Sequence, residues 1–287
     1  QSLGSPKKFN LVELGAGNGE MMKVIIESFQ KFPFLLSSCN FIIYEKSPSL
    51  IKIQKKKLIQ NKIKWVSEIS EIKKNPSIFI ANEFFDAIPI KQFKKKTNLW
   101  FEKFVNLGNI KKPFFFEKKI DLKKIEKKIN FKISHNQNFI EYSEIGLKYL
   151  KDISKIIKKN SGGLLIIDYG YTEKKMKDTL QAISNHKFAN ILENIGNVDI
   201  THNINFNLFK KFIEKIGGLE SELTTQKEFL LKMKIKQRAE IISKNLNFLK
   251  KADIFYRLNR LIDEKQMGNL FKVMLIKNNK NKFKLGF

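Results

Sequence analysis

The amino-acid sequence predicts an α/β fold, built on a mostly parallel sheet whose final strand is antiparallel. Three observations predict it. Short apolar segments alternate with amphipathic segments of helical period, a glycine-rich turn follows the first apolar segment, and polar residues follow several of the others. The 287 residues contain 42% hydrophobic residues, 14 Gly and 6 Pro, which excludes collagen-like, linker-like and disordered classes. The length corresponds to roughly two average domains or to one α/β domain with insertions.

The first part of the chain carries the clearest alternation. We expect strands at 9–14, 41–45, 64–66 and 77–82, and helices at 21–32 and 49–59. The last of these strands is a buried apolar segment that ends in a polar cluster. This order favours parallel strands joined by helical crossovers.

The second part of the chain interrupts the alternation twice. We expect an inserted β-meander in 92–132, where apolar and basic residues alternate in short pieces, and an irregular loop or lid from 172 to 199. Between and after them we expect a helix at 144–158, a strand at 163–168, a helix at 206–216, further helices through 263, and an antiparallel strand at 267–276. The predicted division is therefore a Rossmann-like domain from residues 1–91 and 133–287, a β-rich insertion at 92–132 and a loop or lid region at 172–205.

The formal net charge is +27, from 55 Lys and Arg against 28 Asp and Glu. Such a charge suggests a nucleic-acid partner, but only Arg238, Arg257 and Arg260 are arginines, and arginine is the residue that reads bases and binds phosphates in bidentate fashion. The lysines accompany abundant Ile, Asn and Phe, a set typical of A/T-rich coding. We therefore expect no nucleic-acid partner.

Other partners and cofactors are constrained by simple counts. Cys39 is the single cysteine and cannot form an intramolecular disulfide, which favours a reducing compartment; His135, His186 and His202 lack the spacing of a zinc site, so no metal is expected. No apolar run is long enough to predict a membrane span. No cleavable signal is recognised, and a start without Met just before the first strand suggests a sequence that begins inside a longer protein.

The sharpest chemical signal is the segment Glu-Leu-Gly-Ala-Gly-Asn-Gly at 13–19. A dinucleotide site would place its third glycine at position 20, where Glu20 would repel a pyrophosphate. An acid at the strand end suits a cation instead, and S-adenosylmethionine carries an ammonium and a sulfonium. Glu45, after the second strand, is placed to bind ribose hydroxyls. The residues expected to bind this cofactor are Glu13, Gly15, Ala16, Gly17, Gly19 and Glu45; the alternative is a glycine turn beside a chance acid.

The second signal is Asn82-Glu83-Phe84-Phe85-Asp86 directly after the fourth strand. Carboxyl ends of strands line the crevice of an open α/β sheet. If a helical turn starts here, Glu83 and Asp86 face one site, where paired carboxylates would hold an arginine and accept its proton. Asn82, Glu83 and Asp86 are the predicted catalytic residues. The alternative is that Glu83 caps a helix and Asp86 is a solvated first-turn acid.

These two segments, together with others at 44–48, 163–171, 199–206, 225–230 and 267–273, occur in an order that resembles the MidA family of S-adenosylmethionine-dependent methyltransferases. The resemblance covers essentially the whole chain. It implies a Rossmann-like class I methyltransferase that, at least in the mitochondrial members, dimethylates an arginine of a respiratory complex I (NADH dehydrogenase) core subunit during assembly. It also implies that Asp168 and Tyr169 form a wall of the crevice and that His202 belongs to the family's Asp-x-Thr-x-His segment.

The same resemblance defines where this chain departs from the family. Family members carry an N-terminal region that this sequence lacks, and Asn203 and Asn205 replace the usual residues of their segment. The expected location is cytoplasmic in a bacterium and the mitochondrial matrix in a eukaryote, and a homodimer is left open. Two other functions stay open: a non-catalytic complex I assembly factor or chaperone, and a methyltransferase acting on RNA or a small molecule.

Overall fold

The computed structural model describes residues 4–59, 61–72, 74–108, 112–184 and 187–287. Residue contacts divide the chain into two compact units. Unit 1 contains the chain up to Phe84, Lys151–Tyr169 and Ile213–Phe287, and unit 2 contains Phe85–Leu150 and Gly170–Phe212.

Unit 1 is organised around one large sheet. Its strands are β1 (Phe9–Leu14), β2 (Cys39–Tyr44), β3 (Ile63–Val66), β4 (Ser77–Asn82), β9 (Gly162–Tyr171), β14 (Leu219–Thr225) and β15 (Phe271–Asn278). Their order is β14-β15-β9-β4-β1-β2-β3. The five strands from β9 to β3 pair in parallel, and β15 is antiparallel to both of its neighbours, as the sequence predicts. The fold class is therefore confirmed.

Unit 1 contains the helices predicted after the first two strands and before residue 263, together with two short helices, Pro33–Ser38 and Met267–Leu270, which the sequence did not predict. They are α1 (Glu20–Gln30), α2 (Pro33–Ser38), α3 (Pro48–Lys57), α7 (Gln226–Lys232), α8 (Ile235–Ser243), α9 (Phe248–Ile262) and α10 (Met267–Leu270); a short 3-10 turn covers Ile69–Glu71. Helices α5 (Glu144–Asn160) and α6 (Phe206–Ile216) each have residues in both units.

The core of unit 1 shows why α1 lies where it does. Its Met22 and Ile26 are buried against Leu11, Phe41 and Ile43 of the first two strands. Burial of one such side chain stabilises the fold by about 1.5–3 kcal/mol. The apolar stripe of α1 therefore holds the helix, and the glycine turn before it, against β1 and β2.

Unit 2 contains two smaller antiparallel sheets. The first has the order β7-β6-β5-β8, from β5 (Lys91–Lys96), β6 (Leu99–Leu107), β7 (Pro113–Ile120) and β8 (Phe139–Tyr142); the second pairs β10 (Gln181–Ser184) with β11 (Lys187–Ala189) and β12 (Asp199–Thr201). The short strand β13 (Ile204–Asn205) pairs in parallel with Gly170 and Tyr171 of β9. The β-meander prediction for 92–132 is confirmed for its three strands.

Three secondary-structure predictions were wrong. The end of the predicted meander is a helix, α4 (Leu122–Ile129), in which Asp121 Oδ1 accepts the Lys123 N–H at 3.0 Å as a cap and apolar residues recur at helical spacing. The segment 172–199, predicted to be irregular, contains most of the β10–β12 sheet, whose strands are too short to show a clear period. Residues 219–225, predicted helical, form β14, because pairing with β15 outweighs a weak local preference.

The other boundaries agree closely, and β1, β4 and α6 have their predicted bounds. The predicted final strand begins later than expected, since 267–270 form α10. His186 lies outside the described residues. Within the described part of the chain, no helix is long and apolar enough to cross a membrane, and no group of His, Cys, Asp and Glu side chains is arranged to hold a metal ion.

Candidate functional site

The candidate site lies where the parallel strands of unit 1 end. Glu13 is the fifth residue of β1, Glu45 follows β2, and Asn82 ends β4. The register pairs Leu14 with both Tyr44 and Ala81, so these three strands end level with one another. The sheet therefore brings Glu13, Glu45, Asn82 and Glu83 to one edge, as the sequence predicts for an open α/β crevice.

The glycine turn between β1 and α1 is left-handed at three positions. Gly15, Gly17 and Gly19 have φ angles of 65°, 52° and 83°. A Cβ on Gly15 would lie 2.8 Å from Cδ2 of Phe84, whereas a Cβ on Gly17 would meet nothing within 4 Å. Gly15 is thus required by the packing of Phe84, while Gly17 opens the main chain to a ligand.

This difference predicts separable effects of two substitutions. We expect Gly17→Ala to lower the free energy of unfolding by about 1 kcal/mol, the cost of a left-handed alanine, and Gly15→Ala to lower it by roughly 2–3 kcal/mol because Phe84 must also move. Denaturant unfolding measures both. Gly217→Ala is the matched control, since Gly217 has φ 67° and open space around its Cβ. We expect Gly17→Ala, but not Gly217→Ala, to weaken binding of S-adenosylhomocysteine; equal affinities would contradict the assignment of the turn.

Glu13 is buried, with 2% of its surface exposed. Burial raises the pKa of its carboxyl to about 7, although a hydrogen bond from the backbone of Met22 opposes the shift. Its Oε2 atom has no hydrogen-bond partner among the described residues. A buried carboxyl with one unpartnered oxygen is costly in the ionised state, so this position favours a ligand that brings a positive charge.

Glu45 is also buried, but its carboxylate is well ordered. Oε1 accepts the backbone N–H groups of Lys46 and Ser47, each at 2.9 Å, and Oε2 accepts Nε2 of Gln54 at 3.1 Å. A carboxylate oxygen has two acceptor sites, so Oε2 can accept a further hydrogen bond. Glu45 therefore meets the requirement for binding a ribose hydroxyl.

Gln54 of α3 is a site residue that the sequence prediction did not include. Its fully buried side chain donates from Nε2 to the carbonyl oxygen of Gly17 at 2.9 Å as well as to Glu45, and its Oε1 accepts Nε1 of Trp65 at 3.0 Å. One amide thus joins the glycine turn to the second-strand acid. The sequence contains one signal for this residue. Positions 50, 54 and 58 share one face of the helix, and Gln54 is the polar residue between Leu50 and Leu58 on that face.

The segment after β4 differs from the predicted helical turn. Glu83 is exposed and has a left-handed backbone with φ 48°. Its N–H donates to the carbonyl oxygen of Ile167 at 3.0 Å. Residues 85–88 form a tight turn rather than a helix. Burial of Phe85 and Ile88 favours this turn. Glu83 lies in unit 1 and Asp86 in unit 2. A non-glycine residue in this conformation costs about 1–2 kcal/mol, which is typical of functional positions.

The other acid of the segment, Asp86, lies in unit 2. Asp86 is buried, and its carbonyl oxygen accepts the backbone N–H of His202 at 3.1 Å. Burial lowers the pKa of His202 to about 4, against the effect of a hydrogen bond to the Asp86 backbone. His202 is therefore neutral near pH 7 and too weakly basic for an efficient proton acceptor, which favours a structural role.

Fold and site together define a class of protein. A sheet of this order, with a left-handed glycine turn after β1 and a buried acid after β2, is that of a Rossmann-like methyltransferase. Residues 1–225 match the family described as S-adenosyl-L-methionine-dependent methyltransferases, and the chain belongs to that family. The family resemblance, the enzyme class and the cofactor S-adenosyl-L-methionine are thereby confirmed.

Curated relatives match nearly the whole chain. The protein arginine methyltransferase NDUFAF7, mitochondrial, of Xenopus tropicalis is 26% identical over 310 residues, which covers 94% of this chain and 68% of that protein. The human protein of the same name is 25% identical and covers 93% of this chain and 66% of its own length. The chain thus spans about two thirds of these relatives.

Solved structures show the same fold. A protein from Burkholderia thailandensis, crystallised bound to S-adenosyl-homocysteine, has a TM-score of 0.80 and 19% identity and covers all of this chain and 75% of its own. A native crystal structure of a protein from the same organism has a TM-score of 0.81 and 18% identity and covers all of this chain and 78% of its own.

Proposed function

We propose that this chain transfers a methyl group from S-adenosyl-L-methionine to an arginine of a respiratory complex I subunit during assembly. The observation that carries the proposal is the match over more than nine-tenths of the chain to relatives named protein arginine methyltransferase NDUFAF7, mitochondrial. That name supports a mitochondrial matrix location if the source is a eukaryote; for a bacterial source we propose the cytoplasm. The predicted division into a methyltransferase domain with an insertion at 92–132 and a lid at 172–205 also stays a proposal.

The residues of the site fit the cofactor. When bound, S-adenosyl-L-methionine supplies a methyl group on a positively charged sulfur. Glu13 offers an unpartnered buried oxygen to a cationic group, and Glu45, held by Gln54, accepts hydrogen bonds from ribose. Gly15, Ala16, Gly17 and Gly19 provide the main chain against which the ligand lies.

The acids after β4 provide what an arginine acceptor requires. A guanidinium stays protonated at neutral pH and is a poor nucleophile until it loses a proton. We assign to Asn82, Glu83 and Asp86 the task of orienting the guanidinium, and to the carboxylates of Glu83 and Asp86 that of accepting the proton. These side chains would hold the acceptor nitrogen in line for methyl transfer, and such alignment supplies much of the rate.

The charge of the chain supports a local acidic pocket. A net charge of +27 repels a cationic arginine at long range, and salt only screens that repulsion. Attraction must therefore come from carboxylates at the strand ends. The many lysines make the overall potential positive, and the acids at the strand ends form a local negative region within it.

A transfer assay tests the acceptor. We expect the purified chain with labelled S-adenosyl-L-methionine to label a complex I core subunit, and we expect an Arg→Lys series of that subunit to lose the label at one position. Equal labelling of every Arg→Lys substrate would contradict arginine as the acceptor. Labelling of RNA from the same source, with none of the subunit, would favour the RNA methyltransferase instead.

A further inference from the structure

The helices α8 and α9 form a hairpin whose connecting end exposes large apolar side chains. Ile241 and Ile242 lie in the last turn of α8, and Phe248 and Leu249 open α9, so all four lie within a span of nine residues. The exposed fractions are 82% for Phe248, 77% for Leu249, 67% for Ile241 and 45% for Ile242. We call residues 241–251 the hairpin tip. Clusters of exposed apolar side chains of this kind mark interaction sites.

The apolar surface continues along α9. The helix buries Leu258, with Ile254 partly buried on the same side. On the other side Leu249, Ala252 and Tyr256 are exposed and recur at spacings of three and four residues, which places them in one stripe. Helix α9 therefore has two apolar stripes, one that faces the core and one that faces solvent.

Positive charge is concentrated in the same hairpin. Lys244, Lys250, Lys251, Arg257 and Arg260 are exposed or partly exposed between 244 and 260. In the same stretch the only acid is Asp253, which is paired with Arg257 at 2.9 Å. The chain's three arginines all lie in this hairpin.

We propose that the hairpin tip is a peripheral membrane-binding site that recognises bilayers with anionic headgroups. Phe248, Leu249 and Ile241 enter the boundary between headgroups and acyl chains, and Lys244, Lys250 and Lys251 contact the headgroup charges. An apolar face bordered by lysines binds the plane of a membrane in this way. A second copy of the chain is a poor occupant, since it would bring two surfaces with the same positive charge together.

Binding to vesicles tests the proposal with the whole chain. We expect the protein to sediment with vesicles of phosphatidylcholine and phosphatidylglycerol, not with phosphatidylcholine alone, and to be released by salt. We expect Phe248→Ala/Leu249→Ala and Lys250→Gln/Lys251→Gln each to weaken binding about tenfold or more. Phe188→Ala and Lys123→Gln/Lys124→Gln are matched controls at exposed residues elsewhere, and we expect them to bind as the unmodified chain does.

A fluorescent label locates the contact. Cys39 is buried, so an environment-sensitive dye on Leu249→Cys reports on the tip. We expect a blue shift on anionic vesicles for this label and none for a label on Phe188→Cys. The proposal is overturned if anionic vesicles bind no protein, if the tip variants bind as the unmodified chain does, or if the controls lose binding equally. It is also overturned if the tip substitutions abolish a dimer that forms without vesicles.

Discussion

Replacement of Glu13 by Gln is expected to remove the pH dependence of cofactor binding. In the free protein the pKa of Glu13 is raised to about 7 by burial, so the carboxyl is largely neutral at pH 5.5 and ionised above pH 8. A cationic ligand favours the ionised form. Affinity for S-adenosyl-L-methionine should therefore rise on the order of tenfold between these pH values, and Glu13→Gln should flatten the curve.

Calorimetric titration at several pH values measures this difference. Glu117→Gln, at an exposed position of β7, is the control that keeps the net charge change the same. If the unmodified chain binds with one affinity from pH 5.5 to pH 8, Glu13 does not face the cation.

The pH dependence of the stability of the free protein gives an independent measure of the raised pKa of Glu13. The folded-state pKa of Glu13 lies above the unfolded value of 4.5, so its favourable contribution is fully present below pH 4.5 and is lost as the pH rises through 7. The loss amounts to roughly 3 kcal/mol for a shift of this size. We therefore expect the unmodified chain to lose stability relative to the Glu13→Gln variant as the pH rises from 4.5 to above 7.

The parts of the fold that the sequence predicted well are those with strong local patterns. β1 and β4 are apolar runs bounded by polar residues, and α6 has a regular apolar stripe. The bounds of these elements can therefore be predicted without knowing which other elements they pack against. β14 is different. Its residues LESELTT carry little strand preference, and the strand exists because all seven pair with β15.

The candidate site shows the same limit. Strand ends and glycines locate Glu13, Glu45 and Asn82, because parallel strands must end at a common edge. The role of Gln54 depends on tertiary contacts with Gly17 and Trp65, which no local pattern contains. The turn at 85–88 depends likewise on burial of Phe85 and Ile88, which outweighed the helical reading of the segment.

Neutralising the acids after β4 is expected to stop methyl transfer while leaving cofactor binding intact. Glu83→Gln and Asp86→Asn keep the shape of each side chain but remove the carboxylates to which we assign the orienting of the guanidinium and the acceptance of its proton. General-base catalysis contributes about 10²–10⁴-fold, so we expect turnover to fall at least about a hundredfold in each variant. Affinity for S-adenosylhomocysteine should change little, because Glu13, Glu45 and the glycine turn are untouched.

Single-turnover assays with the arginine substrate measure the rate, and thermal melts establish that the buried Asp86→Asn variant is folded. Glu117→Gln again serves as the exposed acidic control. Turnover within a few-fold of the unmodified chain would remove Glu83 and Asp86 from the reaction. Expression of the double variant in cells that lack the protein then separates catalysis from scaffolding. If methylation of the acceptor arginine is required, complex I assembly fails. Assembly that proceeds with an unmethylated subunit means that the chain acts by binding alone.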